Sequence, residues 1–267
     1  MMPSALPVSF VCSPARQGLW SLLFKGDMFQ PRTYRHWIRG TDLVATVVAV
    51  KETDLYIRAR ENLEQEAKAS ILKYRAYLEE YIKTNPHFLA ALNPIEVNAD
   101  APAIVAEMAQ AARKCGVGPM AAVAGAIAEY VGKDLLAYSD EVIVENGGDL
   151  FLKVDTQRQV GIYAGDSPLS GKLALEVWPE ETPMGMCTSS GTVGYSLSYG
   201  KADAVIAVSP STALADAAAT AICNMIKDAT DINKAIEYAK RIDGLDGIVV
   251  IKGSDMGVWG KVRLSEA

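Results

Sequence analysis

Between Glu141 and Trp178 the chain reads as a succession of short β-rich runs: Glu141–Glu145, Asp149–Val154, Val160–Ala164 and Leu173–Trp178. The turn signals Asn146-Gly147-Gly148, Gly165-Asp166 and Gly171 separate them. Parallel pairing needs a crossover of a dozen residues or more, so strands joined this tightly are expected to pair antiparallel. Two more β-rich runs, from Asp42 to Arg58, flank Lys51-Glu52-Thr53-Asp54 and predict a hairpin. The closing runs GIVVIKG and GKVRLS predict a second hairpin, and Ala204–Val208 adds a further strand.

Helical periodicity fills the intervals. Leu63, Ala67, Ile71, Tyr74, Leu78 and Ile82 recur at helical spacing over Glu61–Lys83, ahead of the stop Asn85-Pro86. Asp100 with Pro102 opens a second helix that stops at Gly116. Beyond the loop Gly116-Val117-Gly118-Pro119 a third runs to about Leu136, and its first half is almost all Ala and Gly. Asp231 is placed to cap a last helix to about Ile242. Together these predict one α+β domain, an antiparallel sheet with helices packed on it, over residues 28–267. Residues 1–27 precede the repeating pattern and read as a loosely ordered extension, not necessarily native.

With 267 residues, half of them hydrophobic, a substantial core can be buried. A net charge of −6 without a long basic run argues against nucleic acid as partner. Apolar stretches fall short of the ~20 residues a membrane span requires, so no membrane partner and a cytoplasmic location are expected. Cys12, Cys115, Cys187 and Cys223 are scattered without CxxC spacing, as in a reducing compartment.

The stretch Met184–Asn224 carries the chemistry. From Cys187 to Ser196 few side chains could build a core, and the segment offers backbone N–H groups and hydroxyls suited to a phosphate-like anion. Asp216 and Thr220 stand four apart on a predicted helix, so both oxygens face one side as hard donors for magnesium. The plainer alternative is a turn followed by a small-residue helix face packed on its neighbour. A third reading makes Cys187 a reactive thiolate held by nearby N–H dipoles.

The strings VKETDLYI (Val50–Ile57), GVGPMAAVAGAIAE (Gly116–Glu129), VENGGDLFL (Val144–Leu152), YAGDSPLS (Tyr163–Ser170), CTSSGTVGYSLSYGKADAV (Cys187–Val205) and LADAAATAICN (Leu214–Asn224) resemble an uncharacterised ApbE-related family of archaea and anaerobic bacteria. That family is a distant relative of the ApbE-type FAD:protein FMN transferases. The resemblance runs from about Met28 to the C-terminus and implies a T-fold-like α+β architecture. It also implies a magnesium site formed by Asp216, Thr220 and the Ala124 carbonyl. Ligand-binding positions follow at Gly118, at Asn146, Gly147, Gly148 and Asp149, and at Thr188, Ser189, Ser190 and Gly191, for FAD, FMN or another nucleotide pyrophosphate.

Two departures stand out. Gly125 falls where the transferases carry a lysine, and Gly194-Tyr195-Ser196-Leu197 lacks their histidine and Asp-Pro. Positive charge over the pyrophosphate supplies much of the rate of such a substitution at phosphorus. The resulting expectation is a magnesium-dependent, flavin- or nucleotide-binding protein, a phosphoryl- or nucleotidyl-type transferase that is a poor FMN transferase. The alternative is a non-catalytic accessory protein of an anaerobic pathway such as sulfur assimilation, with a protein partner. Either could be a homo-oligomer.

Overall fold

The computed structural model describes residues 42–192 and 199–267, together with the backbone of a short strand, β1 (Leu6–Ser9). The predicted boundary near Met28 and the segment Gly194–Leu197 lie outside the described residues. The first hairpin joins β2 (Val44–Val50) to β3 (Thr53–Ala59) through a two-residue turn at Lys51-Glu52, where Lys51 takes a φ of 53°. Three principal helices follow: α1 (Glu64–Thr84), then α3 (Ala103–Cys115) and α4 (Val123–Leu135), with the single turn α2 (His87–Ala90) between α1 and α3. Gly116 ends α3 in the left-handed conformation that the sequence signal implied, at φ 65°.

The strands β4 (Val142–Asn146), β5 (Asp149–Lys153), β6 (Arg158–Gly161), β7 (Leu173–Val177), β8 (Met184–Ser189) and β9 (Ala204–Ser209) precede α5 (Thr212–Met225) and α6 (Ile232–Ala239). The chain closes with β10 (Gly247–Lys252), β11 (Asp255–Gly260) and β12 (Leu264–Glu266). Eight strands form one sheet in the order β11-β10-β9-β8-β5-β4-β3-β2, every neighbouring pair antiparallel. A smaller sheet has the order β1-β6-β7-β12. The α+β expectation, an antiparallel sheet with helices packed on it, holds.

Side chains alternate across the large sheet, which sorts them into two cores. Val144, Phe151, Cys187, Val205 and Val250 face the helices, while Ile143, Leu150, Met186, Ile206 and Val249 face β6 and β7 of the small sheet. Each large apolar side chain buried in either core contributes ~1.5–3 kcal/mol.

Three local expectations are corrected. Cys187, Thr188 and Ser189, read as part of a segment with backbone groups to offer, end the central strand β8, and β9 supplies backbone partners from Gly185↔Ser209 to Ser189↔Val205. The last hairpin pairs β10 with β11, and the GKVRLS run instead ends as β12 against β7 in the other sheet. Gly260, at φ 87°, turns the chain between them. Asp231 does not cap α6 with its side chain; its Oδ2 accepts from the Lys227 N–H at 2.8 Å, and Asp228 caps the preceding 3-10 turn. Among the described residues no single helix is long and apolar enough to cross a membrane, and the one apolar helix pair is bent by 103° at its break.

Candidate functional site

The site is built where α4 and α5 cross over the end of the large sheet. Gly125 permits the crossing: a Cβ at that position would lie 2.4 Å from the Thr212 carbonyl oxygen and 2.8 Å from Asp216 Cβ. The two helices then serve each other's first turns. Asp216 on α5 accepts from the Gly125 N–H of α4 at 3.0 Å through Oδ2. Glu129 on α4 accepts from the Thr212 and Ala213 N–H groups of α5 at 2.7 and 3.3 Å. Those N–H groups are among the orphan donors at a helix start, and a carboxylate there also meets the positive end of the helix dipole. Glu129 is 2% exposed, and its other oxygen is 2.6 Å from Lys133 Nζ, which reaches solvent. Nothing in the local sequence marks Glu129. Its partners lie 83 and 84 residues away.

The predicted cation donors lie close together. Ala124 and Gly125 are consecutive, so the peptide unit holding the Ala124 carbonyl also carries the N–H that binds Asp216. Thr220, one turn beyond Asp216, donates its hydroxyl to the Asp216 carbonyl at 3.0 Å, which leaves its oxygen lone pairs for another partner. Asn146 donates from Nδ2 to the Ala124 carbonyl at 3.0 Å and so ties the end of β4 to the start of α4. The Ala124 carbonyl, in the first turn of α4, also accepts the helix's own i+4 bond, so Asn146 takes its second lone pair. All four residues are buried.

Asn146, Gly147, Gly148 and Asp149 form the tight turn between β4 and β5, with both glycines at positive φ, 68° and 101°. Glu145 fixes this turn by accepting from the Gly148 N–H at 2.9 Å. Leu150 pairs with Met186, so Asp149 at the start of β5 lies at the end of the sheet where β8 finishes in Thr188 and Ser189. The two predicted small-residue segments therefore occupy the same end of adjacent strands.

Alternation divides the β8 residues between two environments. Thr188 faces the small sheet and lines a cleft with space of only about 10 Å³ among Leu150, Ile162, Tyr163, Met186 and Ile206. Cys187 faces the helices, is fully buried, and donates to the Thr212 carbonyl at 3.4 Å. Burial, and then the carboxylates of Asp149 and Asp216, push its thiol well above the ordinary value. A thiolate at Cys187 is therefore disfavoured, and the reading of Cys187 as a reactive nucleophile fails on these grounds.

Ser190 and Gly191 continue past β8. Ser190 Oγ lies 3.4 Å from the Ala202 carbonyl and from Thr192 Oγ1, and Thr192 in turn donates to Asp203 at 3.0 Å. Gly191 backs onto Gly200, whose own neighbour is the Cys223 carbonyl in the last turn of α5. Gly118 stands apart in character. A Cβ there would come within 1.8 Å of the Ala91 carbonyl oxygen, so a backbone crossing behind α2 explains the glycine.

The donors around Asp216 are all hard oxygens: one carboxylate, one hydroxyl and one backbone carbonyl, with the Asp149 carboxylate close enough to act on the same thiol. Magnesium is commonly held by one or two carboxylates and completed by substrate phosphates and water, and among the described residues no cluster of three or more His, Cys, Asp or Glu side chains gathers here.

Comparison with known proteins places the chain. It is 42% identical to a UPF0280 protein of Methanococcus aeolicus, over 80% of this chain and 89% of that protein. It is 43% identical to the UPF0280 protein MJ1526 of Methanocaldococcus jannaschii, over 80% of this chain and 90% of that one. Among solved structures, the flavin transferase ApbE from Vibrio cholerae overlaps 82% of this chain and 96% of its own, with 13% identity and a TM-score of 0.46. The apo flavinyl transferase ApbE of Pseudomonas stutzeri covers 82% and 94%, with 15% identity and a TM-score of 0.49. Residues 35–257 match the family described as AbpE bacteria, and with its UPF0280 relatives the chain belongs to that ApbE-related family.

Proposed function

We propose that this protein binds the pyrophosphate of a flavin or another nucleotide, together with magnesium, where α4 and α5 meet the Asn146–Asp149 turn. One observation carries the reading: Asp216, one turn before Thr220 on α5, lies at the start of α4, 3.0 Å from the Gly125 N–H through Oδ2, where Asn146 ties in the β4–β5 turn. Asp216 and Thr220 would hold the ion, with the Ala124 carbonyl joining them in exchange for its Asn146 contact, and the ion when bound neutralises phosphate charge. Asn146 ties the Gly147-Gly148 turn, with both glycines at positive φ, to the start of α4.

Asp216 also has a structural role as the acceptor for α4, so the experiment must separate the two. Asp216→Asn keeps an oxygen for the Gly125 N–H and removes the charge. In the wild type, magnesium should tighten FAD binding measured by flavin fluorescence; in Asp216→Asn that dependence should fall at least about tenfold, with the melting temperature nearly unchanged. FAD binding indifferent to magnesium in the wild type would sink the reading.

The accessory-protein alternative draws on Gly125. The resemblance puts a lysine of the transferases at this position, yet even a Cβ would collide with the Thr212 backbone. That favours binding without efficient FMN transfer. Incubation with FAD, magnesium and a threonine-bearing acceptor should leave no covalent flavin fluorescence on a denaturing gel.

A further inference from the structure

We infer that the free edge of β2 pairs with β2 of a second copy of this chain, joining two large sheets across a two-fold axis. Among the described residues no strand lies outside β2. Its seven residues, Val44-Ala45-Thr46-Val47-Val48-Ala49-Val50, contain no charge and no proline. Edge strands are ordinarily protected by lysine, proline, a bulge or a covering element. The opposite edge, β11, carries Asp255 and two glycines, and Gly257 lies beneath Ile232 and Ile236 of α6. Among the described residues β2 has none of these protections, and Val47 is 56% and Val44 43% exposed.

The backbone sets the register. Val50 and Thr53 close a two-residue turn and so form a hydrogen-bonded pair. Val44, Thr46, Val48 and Val50 therefore direct their N–H and C=O groups to β3, and those of Ala45, Val47 and Ala49 point outward. An antiparallel copy centred on Val47 satisfies all three. It sets Ala45 opposite Ala49, Val44 opposite Val50, and Val47 opposite itself.

This near-palindrome is the argument for a second copy, because a two-fold interface must be complementary to itself. The helix layer agrees. Ser70 and Tyr74 of α1 bond to Asp134 of α4, on the interior side of the sheet. Leu72 lies roughly 160° round the helix from both, on the flank toward the β2 edge, and is 50% exposed. Two copies paired through β2 bring their Leu72 flanks toward each other.

The test is sedimentation velocity over a range of concentrations, with two variants. The wild type should sediment as a dimer, and Val47→Lys, which sets like charges face to face, should weaken dimerisation at least about tenfold. Cys115, Cys187 and Cys223 are buried, so in a Cys12→Ser background Val47→Cys introduces an exposed thiol at the centre of the pairing. A hydrogen-bonded antiparallel pair spans about 5.5 Å between Cα atoms, within disulfide range. Oxidation should give a covalent dimer in this variant and none in Cys12→Ser alone. A wild type that is monomeric at every concentration, as the chain's own segment before β2 seated on the edge would produce, overturns the inference. So does a dimer that Val47→Cys fails to cross-link.

Discussion

The crossing of α4 and α5 and the edge at β2 treat backbone polar groups in opposite ways. At the crossing, the first-turn donors that a helix leaves open are taken by carboxylates from the neighbouring helix, Asp216 for Gly125 and Glu129 for Thr212 and Ala213. At β2, three residues turn their N–H and C=O groups out of the sheet with no charged side chain on the strand. The crossing is closed within one chain and intolerant of change. The edge has no strand beside it among the described residues. The crossing packs on the central strands β4, β5, β8 and β9 while β2 is the outermost, so a perturbation of one should leave the other intact.

Substitutions can break or sharpen that contrast. Glu129→Ala should be the most damaging, since it strands two buried N–H donors and removes the carboxylate facing Lys133. A loss of ~3 kcal/mol in urea unfolding is expected, while Glu129→Gln, which can still accept, should lose less. A cost below ~1 kcal/mol would show that the carboxylate cap is dispensable.

Gly125→Ala comes next. Better helix propensity gains up to ~1 kcal/mol, but the methyl must displace the Thr212 backbone, and overpacking of this kind costs ~1–3 kcal/mol. A net destabilisation should appear in the same assay, and a stabilised variant would mean that the helices separate easily.

At the edge, Val47→Lys should change monomer stability by no more than ~0.5 kcal/mol, as at other exposed positions. A larger drop would show that the strand is needed inside its own fold.

The smallest effect belongs to Asp134, on the far side of α4. Burial pushes its carboxyl up, but hydrogen bonds from Ser70, Tyr74 and Lys73 outweigh this and hold it below the ordinary 3.8. A lowered folded-state value means that its contribution is present above pH 3.8 and is lost as pH falls through the folded value. The pH dependence of stability below pH 4 should therefore be slightly shallower in Asp134→Asn, and a superimposable profile would contradict the assigned hydrogen bonds.

Much of this was legible in the sequence, for local reasons. Gly116 and the Gly147-Gly148 turn declare themselves because glycine alone adopts those backbone angles at no cost, and the Lys51-Glu52 turn because polar residues interrupt two β-rich runs. Asp216 and Thr220 share a helix face by spacing alone. What stayed hidden is non-local. Met184–Ser189 lacks the alternation of a surface strand because it is buried on both faces, and its small side chains fit under α5, where a Cβ on Gly185 would strike Thr212. β12 changes sheets after a glycine turn, and no pattern within three residues announces the partner. Glu129 looks like an ordinary helix residue until α5 is brought against it.

The exchange of carboxylates between α4 and α5 has a consequence for how the molecule opens. Ser211 caps α5 only at the Leu214 N–H, so Thr212 and Ala213 in its first turn, like Gly125 in that of α4, depend on the other helix being in place. The two should therefore behave as one cooperative unit in native-state hydrogen exchange. The amides of Gly125, Thr212 and Ala213 should exchange with a common free energy and respond together to denaturant, although 87 residues separate Gly125 from Thr212 in the chain (212 − 125).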